Sequence, residues 1–119
     1  MKEKILLTQS LKLATEIESL CKELSYKNCS NIIFQTKKSS SSVYANVSEA
    51  QYPQSLADML SKFKIARKEC VETESWLKIL LKSDYINENS FKPLCNLCGR
   101  IRRLLTSSCV TIENKLNNI

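Results

Sequence analysis

Gln35-Thr36-Lys37-Lys38-Ser39-Ser40-Ser41-Ser42-Val43-Tyr44-Ala45-Asn46-Val47-Ser48-Glu49 is the stretch whose reading decides the fold of this chain. The segments on either side carry Leu, Ile and Phe at helical spacing, and this one does not. Gln35, Ser39, Ser42, Asn46 and Glu49 fall at alternating steps of four and three, one line down a helix. That line is small and polar where a seam would be aliphatic. A second line, Thr36, Ser40, Val43, Val47 and Ala50, is small and β-branched. A serine-rich linker is the alternative on composition alone. Against it, the stretch holds neither Gly nor Pro, and Val43 and Val47 keep helical register. It reads as a helix whose small side chains let a second helix come close. If the polar line is buried it must be hydrogen-bonded, since each unpartnered group would cost about 1–3 kcal/mol.

Outward from this stretch the pattern is helical. Between about residues 2 and 24, Leu6, Leu13, Ile17, Leu20 and Leu24 share one face, beside Ala14 and Cys21, with charged residues mostly opposite. Ser25 to Asn28 is a short connection, and the second helix runs from about 29 to 49, opening with Ile32, Ile33 and Phe34. Pro53 suits the first turn of a third helix, about 54 to 83, with the stripe Phe63, Ala66, Cys70, Thr73, Leu77 and Leu80. Beside it lie Lys62, Ile65, Glu69, Glu72, Trp76 and Ile79. Asp84 to Asn87 forms a turn. Asn87 is placed to cap a fourth helix over about 88 to 116, which aligns Phe91, Leu94, Cys98, Ile101, Leu105 and Ile112. Four helices with short connections predict one all-α domain over 1–119, an antiparallel up-down-up-down four-helix bundle.

The 119 residues include one Gly, two Pro, six Cys and no His, with 18 Lys and Arg against 12 Asp and Glu, a formal charge of +6. The basic balance permits binding to nucleic acid or to an anionic membrane surface without requiring either. The first residues are too polar for a secretory signal, and no apolar run approaches a membrane span. Six cysteines without such a signal are most simply reduced thiols, and a cytoplasmic protein is expected.

Cys95 and Cys98 are spaced as a zinc half-site, but no histidine and no second Cys-x-x-Cys exist to complete one. Cys98 also lies on the core stripe, so both read as core residues, with no metal and no cofactor. Glu69 and Glu72 could serve as an acid and base pair on one helix face, yet no histidine partners them. The structural reading has them accept hydrogen bonds from Gln35, Ser39, Ser42 or Asn46, with Asn46 and Glu72 partly or wholly buried. No phosphate-cradling glycine loop or nucleophile–base pairing is present, so no enzyme is expected. Basic residues concentrate between Lys37 and Lys68, six Lys and Arg against two acids, and in Arg100, Arg102 and Arg103. Arginine suits bidentate phosphate contact, and a solvated helix face explains the cluster equally well. The candidate nucleic-acid contacts are Lys37, Lys38, Arg67, Lys68, Arg100, Arg102 and Arg103.

Gln35-x-Lys37-Lys38 followed by Ser42-Val43-Tyr44-Ala45-Asn46-Val47-Ser48-Glu49 resembles the Gln-x-Arg-Arg … Ser-Ile-x-x-Asn-Ile-Ala-Glu-Gly signature of a bacterial four-helix-bundle family. Ile65-Ala66-Arg67-Lys68-Glu69, Glu72-Thr73 and Trp76-Leu77 resemble the same family's third helix. That family includes proteins encoded in intervening sequences of large-subunit ribosomal RNA genes. It also includes relatives of the accessory variability determinant of diversity-generating retroelements. Here Ala50 replaces the terminal Gly, Ser48 replaces Ala, and Lys replaces both Arg, which leaves the end of the second helix open. The resemblance implies a ring-like homopentamer with a basic surface, nucleic acid (structured RNA first) as ligand, a reverse transcriptase as a possible protein partner, and no catalysis. The competing class is a scaffold ring that holds a protein partner and uses its charge for solubility.

Overall fold

The computed structural model describes residues 2–118. It contains four helices and, among the described residues, no strand: α1 (Lys2–Glu23), α2 (Ser30–Glu49), α3 (Leu56–Lys82) and α4 (Glu88–Asn117). Each helix packs on the next in sequence and α4 closes against α1, so α2 and α4 face each other across the diagonal. The bundle is long and thin, 52 × 22 × 20 Å.

The stripes on α1, α3 and α4 form the core. Leu6, Leu13 and Ile17, then Phe63, Leu77 and Leu80, then Ile101 and Leu105 are all fully buried. Burial of such a side chain stabilises by roughly 1.5–3 kcal/mol. The contribution of α2 differs in kind: Thr36, Ser40, Val43, Val47 and Ala50 are buried, and none is larger than valine. The inward line of α2 is therefore the small, β-branched one. Of the polar line, Ser39 alone is buried, Gln35, Ser42 and Asn46 are half-buried, and Glu49 is exposed.

The polar contact across the seam also differs from expectation. Ser39 bonds not to Glu69 or Glu72 but to Thr73, whose hydroxyl donates to Ser39 Oγ at 2.9 Å. The Thr73 hydroxyl also lies 2.9 Å from the Glu69 carbonyl. Ser39 Oγ in turn donates to the Thr36 carbonyl at 3.2 Å. Two hydroxyls on one-carbon arms can meet only where the backbones run close, which the small residues permit. Asn46 turns back on its own helix, donating to Ser42 O at 2.9 Å and Ser42 Oγ at 3.2 Å. Glu49 pairs with Lys62 at 3.1 Å at the rim. Among the described residues, every buried side-chain polar atom has a partner.

The helix ends follow local chemistry. α2 ends at Glu49 without a glycine because Ala50 stays right-handed and its N–H reaches Asn46 O. Its methyl is wholly buried. Pro53 lies outside α3, because extended Ser55 is the cap, its hydroxyl accepting from Asp58 N–H at 3.0 Å. Asn87 caps α4, accepting from Ser90 N–H at 3.0 Å. Between them, Asp84 takes a left-handed φ of 63°. Its N–H reaches Leu81 O while that of Tyr85 reaches Leu80 O, the paired bonds that close a helix end. Tyr85 then donates its hydroxyl to Asn28 O at 2.8 Å, tying the two loops at this end together.

Ser39→Ala and Thr73→Val should each cost about 0.5–1.5 kcal/mol in urea unfolding, because each leaves the other hydroxyl short of a partner. The double variant should cost less than the sum. Strictly additive costs would show that the two hydroxyls do not act together.

Candidate nucleic-acid interface

The seven candidate cations sit on three helices and do not form one patch. Lys37 and Lys38 follow the first turns of α2. Lys37 leans toward α1 and pairs with Glu18 at 3.2 Å. Lys38 is exposed and makes no ion pair among the described residues. On α3, Lys68 is exposed, and Arg67 turns to the other side, where it and Lys64 bear on Cys109 of α4. Lys64 itself pairs with Glu113 at 3.8 Å.

The arginines of α4 point three ways, as a helical turn requires. Arg100 donates to Gln9 Oε1 of α1 at 3.2 Å. Arg102 donates Nε to Glu74 Oε1 of α3 at 2.9 Å. Arg103 is exposed between them. All this surrounds Gly99, the chain's single glycine. A Cβ there would stand 3.4 Å from Arg103 Nη1 and 3.8 Å from Arg102 Nη2, so both guanidinium groups lie over a bare turn. Since α2 and α4 are diagonal partners, the lysine pair and the arginine cluster lie on opposite edges of the bundle. The structure brings together only Lys38 with Lys68, which share the neighbourhood of Glu69, and Arg102 with Arg103.

On the α2–α3 flank, Glu69 and Glu72 are half-buried. Burial, with the Glu72 charge beside it, holds the Glu69 carboxyl above its usual range, against the pull of Lys68 and Lys38. Five of the six thiols are core groups, whereas Cys95, expected in the core with Cys98, is half-buried because it falls at the edge of the stripe that Leu94 and Cys98 define. Burial pushes Cys21 up to about 11 and raises Cys109. Contact with Cys70, then burial, raises Cys98. Cys70 donates its thiol to the Cys98 carbonyl at 3.2 Å. Thiols so raised are poor nucleophiles and poor metal ligands.

Apolar residues outside the candidate set also reach the surface. Phe34 is 59 % exposed, and Ile65, Val71 and Ile79 on α3 are each more than 40 % exposed. For Phe34 a signal existed. Three consecutive apolar residues, Ile32 to Phe34, cannot all face one core from a helix.

Because Glu69 has a folded-state pKa above its unfolded one, its unfavourable contribution is absent below the ordinary value near 4.5. It is fully present above the raised folded value. Glu69→Gln should therefore raise the melting temperature at pH 7, and the gain should fade as pH falls through the folded pKa toward 4.5. An equal gain at both ends of that range would show that the charge is not responsible.

No helix among the described residues is long and apolar enough to cross a membrane. No curated protein matches the chain. A solved structure does: a protein of unknown function from the S23 ribosomal protein family of Bacteroides thetaiotaomicron VPI-5482. The two are 34% identical with a TM-score of 0.84, over 95% of this chain and 99% of that one. The family model of the 23S rRNA-intervening sequence protein matches residues 2–107. With the bundle and the match agreeing over nearly its whole length, this chain belongs to the 23S rRNA-intervening sequence protein family.

Proposed function

We propose that this protein is a non-enzymatic, cytoplasmic, basic accessory protein that binds structured RNA as a ring-like homopentamer. One observation carries the reading. Lys38, Arg67, Lys68, Arg100 and Arg103 have no carboxylate partner among the described residues, whereas Lys37 and Arg102 are neutralised by Glu18 and Glu74. A cation with no carboxylate in bonding distance leaves most of its field for a polyanion. The name of the family supports RNA over other polyanions. Within one chain the cations stand on opposite edges, so a continuous band requires neighbouring copies. Five chains of +6 would carry about +30. A reverse transcriptase enters this reading as a partner through the resemblance to the accessory determinant of diversity-generating retroelements.

A scaffold ring that holds a protein partner is the second reading. It is favoured by α3, where Ala57, Leu60 and Ile65 line a shallow apolar groove together with Lys64 and Lys68. The scaffold reading requires this groove to stay clear of the contacts between subunits.

Light scattering should give about 68 kDa, five times the 13.6 kDa chain. On that species, log affinity for a structured RNA should fall with log salt, with a slope of about −0.7 per phosphate in single strands and −0.9 in duplex. Arg100→Glu with Arg103→Glu should abolish binding while helicity and mass stay unchanged, since both residues are exposed. Equal affinity of wild type and variant would move the site elsewhere. No binding by wild type at low salt would leave the scaffold reading.

A further inference from the structure

Phe34 stands two residues before Thr36, whose side chain is fully buried. Two residues turn a helix by about 200°, which puts the ring on the far side of α2 from the core. A phenylalanine kept in water forgoes the burial that would make it useful to the fold. Along the same outer face, Lys38 follows at i+4 and Ser41 at i+7, so ring, ammonium and hydroxyl stand one turn apart in a line. With Ile33 and with Glu18 of α1 they line an open groove of about 480 Å³. It is a surface groove that can cover one face of a small ligand and leaves the other in water. The charges in the groove are not equivalent. Glu18 is occupied by Lys37 at 3.2 Å, and Lys38 has no ion pair among the described residues, Glu69 of α3 acting on it only at longer range.

A flat apolar face one helical turn from a free cation fits a ligand with a π-face joined to a negative charge. We infer that this groove seats an unpaired nucleotide of RNA, the base stacked on Phe34 and its phosphate at Lys38, an inference that rests on the RNA-binding reading above. In a duplex the base faces are covered by their neighbours, whereas single strands and loops present them. The groove thus selects unpaired segments within a structured RNA, while Arg100 and Arg103 contact phosphates without regard to pairing. An apolar protein segment would cover Ile33 and Phe34 but would leave the ammonium of Lys38 at the same groove without a counter-charge.

The test is fluorescence anisotropy at low salt with two labelled probes, a short oligouridylate and an RNA duplex of equal length, on wild type, Phe34→Ala and Phe34→Trp. Wild type should prefer the single strand. Phe34→Ala should weaken that binding about 5- to 100-fold, leave the duplex affinity unchanged, and leave the salt slope unchanged because no phosphate contact is lost. Phe34→Trp should bind the single strand at least as well as wild type. Unaltered single-strand binding by Phe34→Ala would overturn the inference and leave the RNA-binding reading standing. So would a change in oligomer mass, which would make Phe34 a subunit contact. Failure of wild type to bind either probe would overturn both.

Discussion

The bundle depends on how closely α2 can approach α3, and the direct expression of that approach is the hydroxyl of Thr73 on the hydroxyl of Ser39, 2.9 Å apart. Everything inward on α2 is small, so α2 contributes proximity more than apolar bulk. Bulk comes from Phe63, Leu77 and Leu80 of α3 and from the leucines and isoleucines of α1 and α4. A tight seam leaves no space for water, so each polar atom inside must find a protein partner, and Thr36, Ser39 and Ser40 do so on carbonyls of their own helix. These back-bonded hydroxyls explain how so serine-rich a helix is kept at the centre of a fold. Serine and threonine are mediocre helix formers because their hydroxyls compete for backbone groups. Here that competition satisfies buried atoms.

The same geometry distributes the charge. A slim bundle has little interior, so its long cationic side chains stand on the surface, and which of them are free is set by the carboxylate one helix away. Glu18, Glu74 and Glu113 each take a basic residue from a neighbouring helix. Of the seven candidate cations, those without a carboxylate partner among the described residues are spread over α2, α3 and α4. On the proposed reading, cations spread in this way would meet an extended polyanion at several points, and affinity would then depend on salt.

Much of the fold was legible in the sequence because three of the four helices carry an unambiguous stripe. Leu6, Leu13 and Ile17 on α1, the Phe63 to Leu80 line and the Leu94 to Ile112 line all face inward as their spacing requires. On α2 the period was readable and the face was not. Gln35 to Glu49 and Thr36 to Ala50 are adjacent lines of small residues, and composition does not tell which is inward until the partner helix supplies Thr73. The expected acceptors Glu69 and Glu72 failed for a related reason, since a half-buried carboxylate at the flank keeps some water while a threonine on the core stripe has none. Pro53 pointed to an earlier start for α3, but Ser55 has the side chain that can cap. Of the candidate site, the identities of the basic residues were legible, whereas their neutralisation by glutamates distant in sequence was not. Phe34 was concealed inside an apolar run that looked like the start of a core.

Whether the free cations meet RNA is tested most directly by what accompanies the protein out of the cell. Purified at low salt without nuclease, the assembled protein should carry RNA, seen as excess absorbance at 260 nm, sensitive to ribonuclease and released as salt is raised. Recovery of protein free of nucleic acid, or with a stoichiometric protein in its place, would contradict the account.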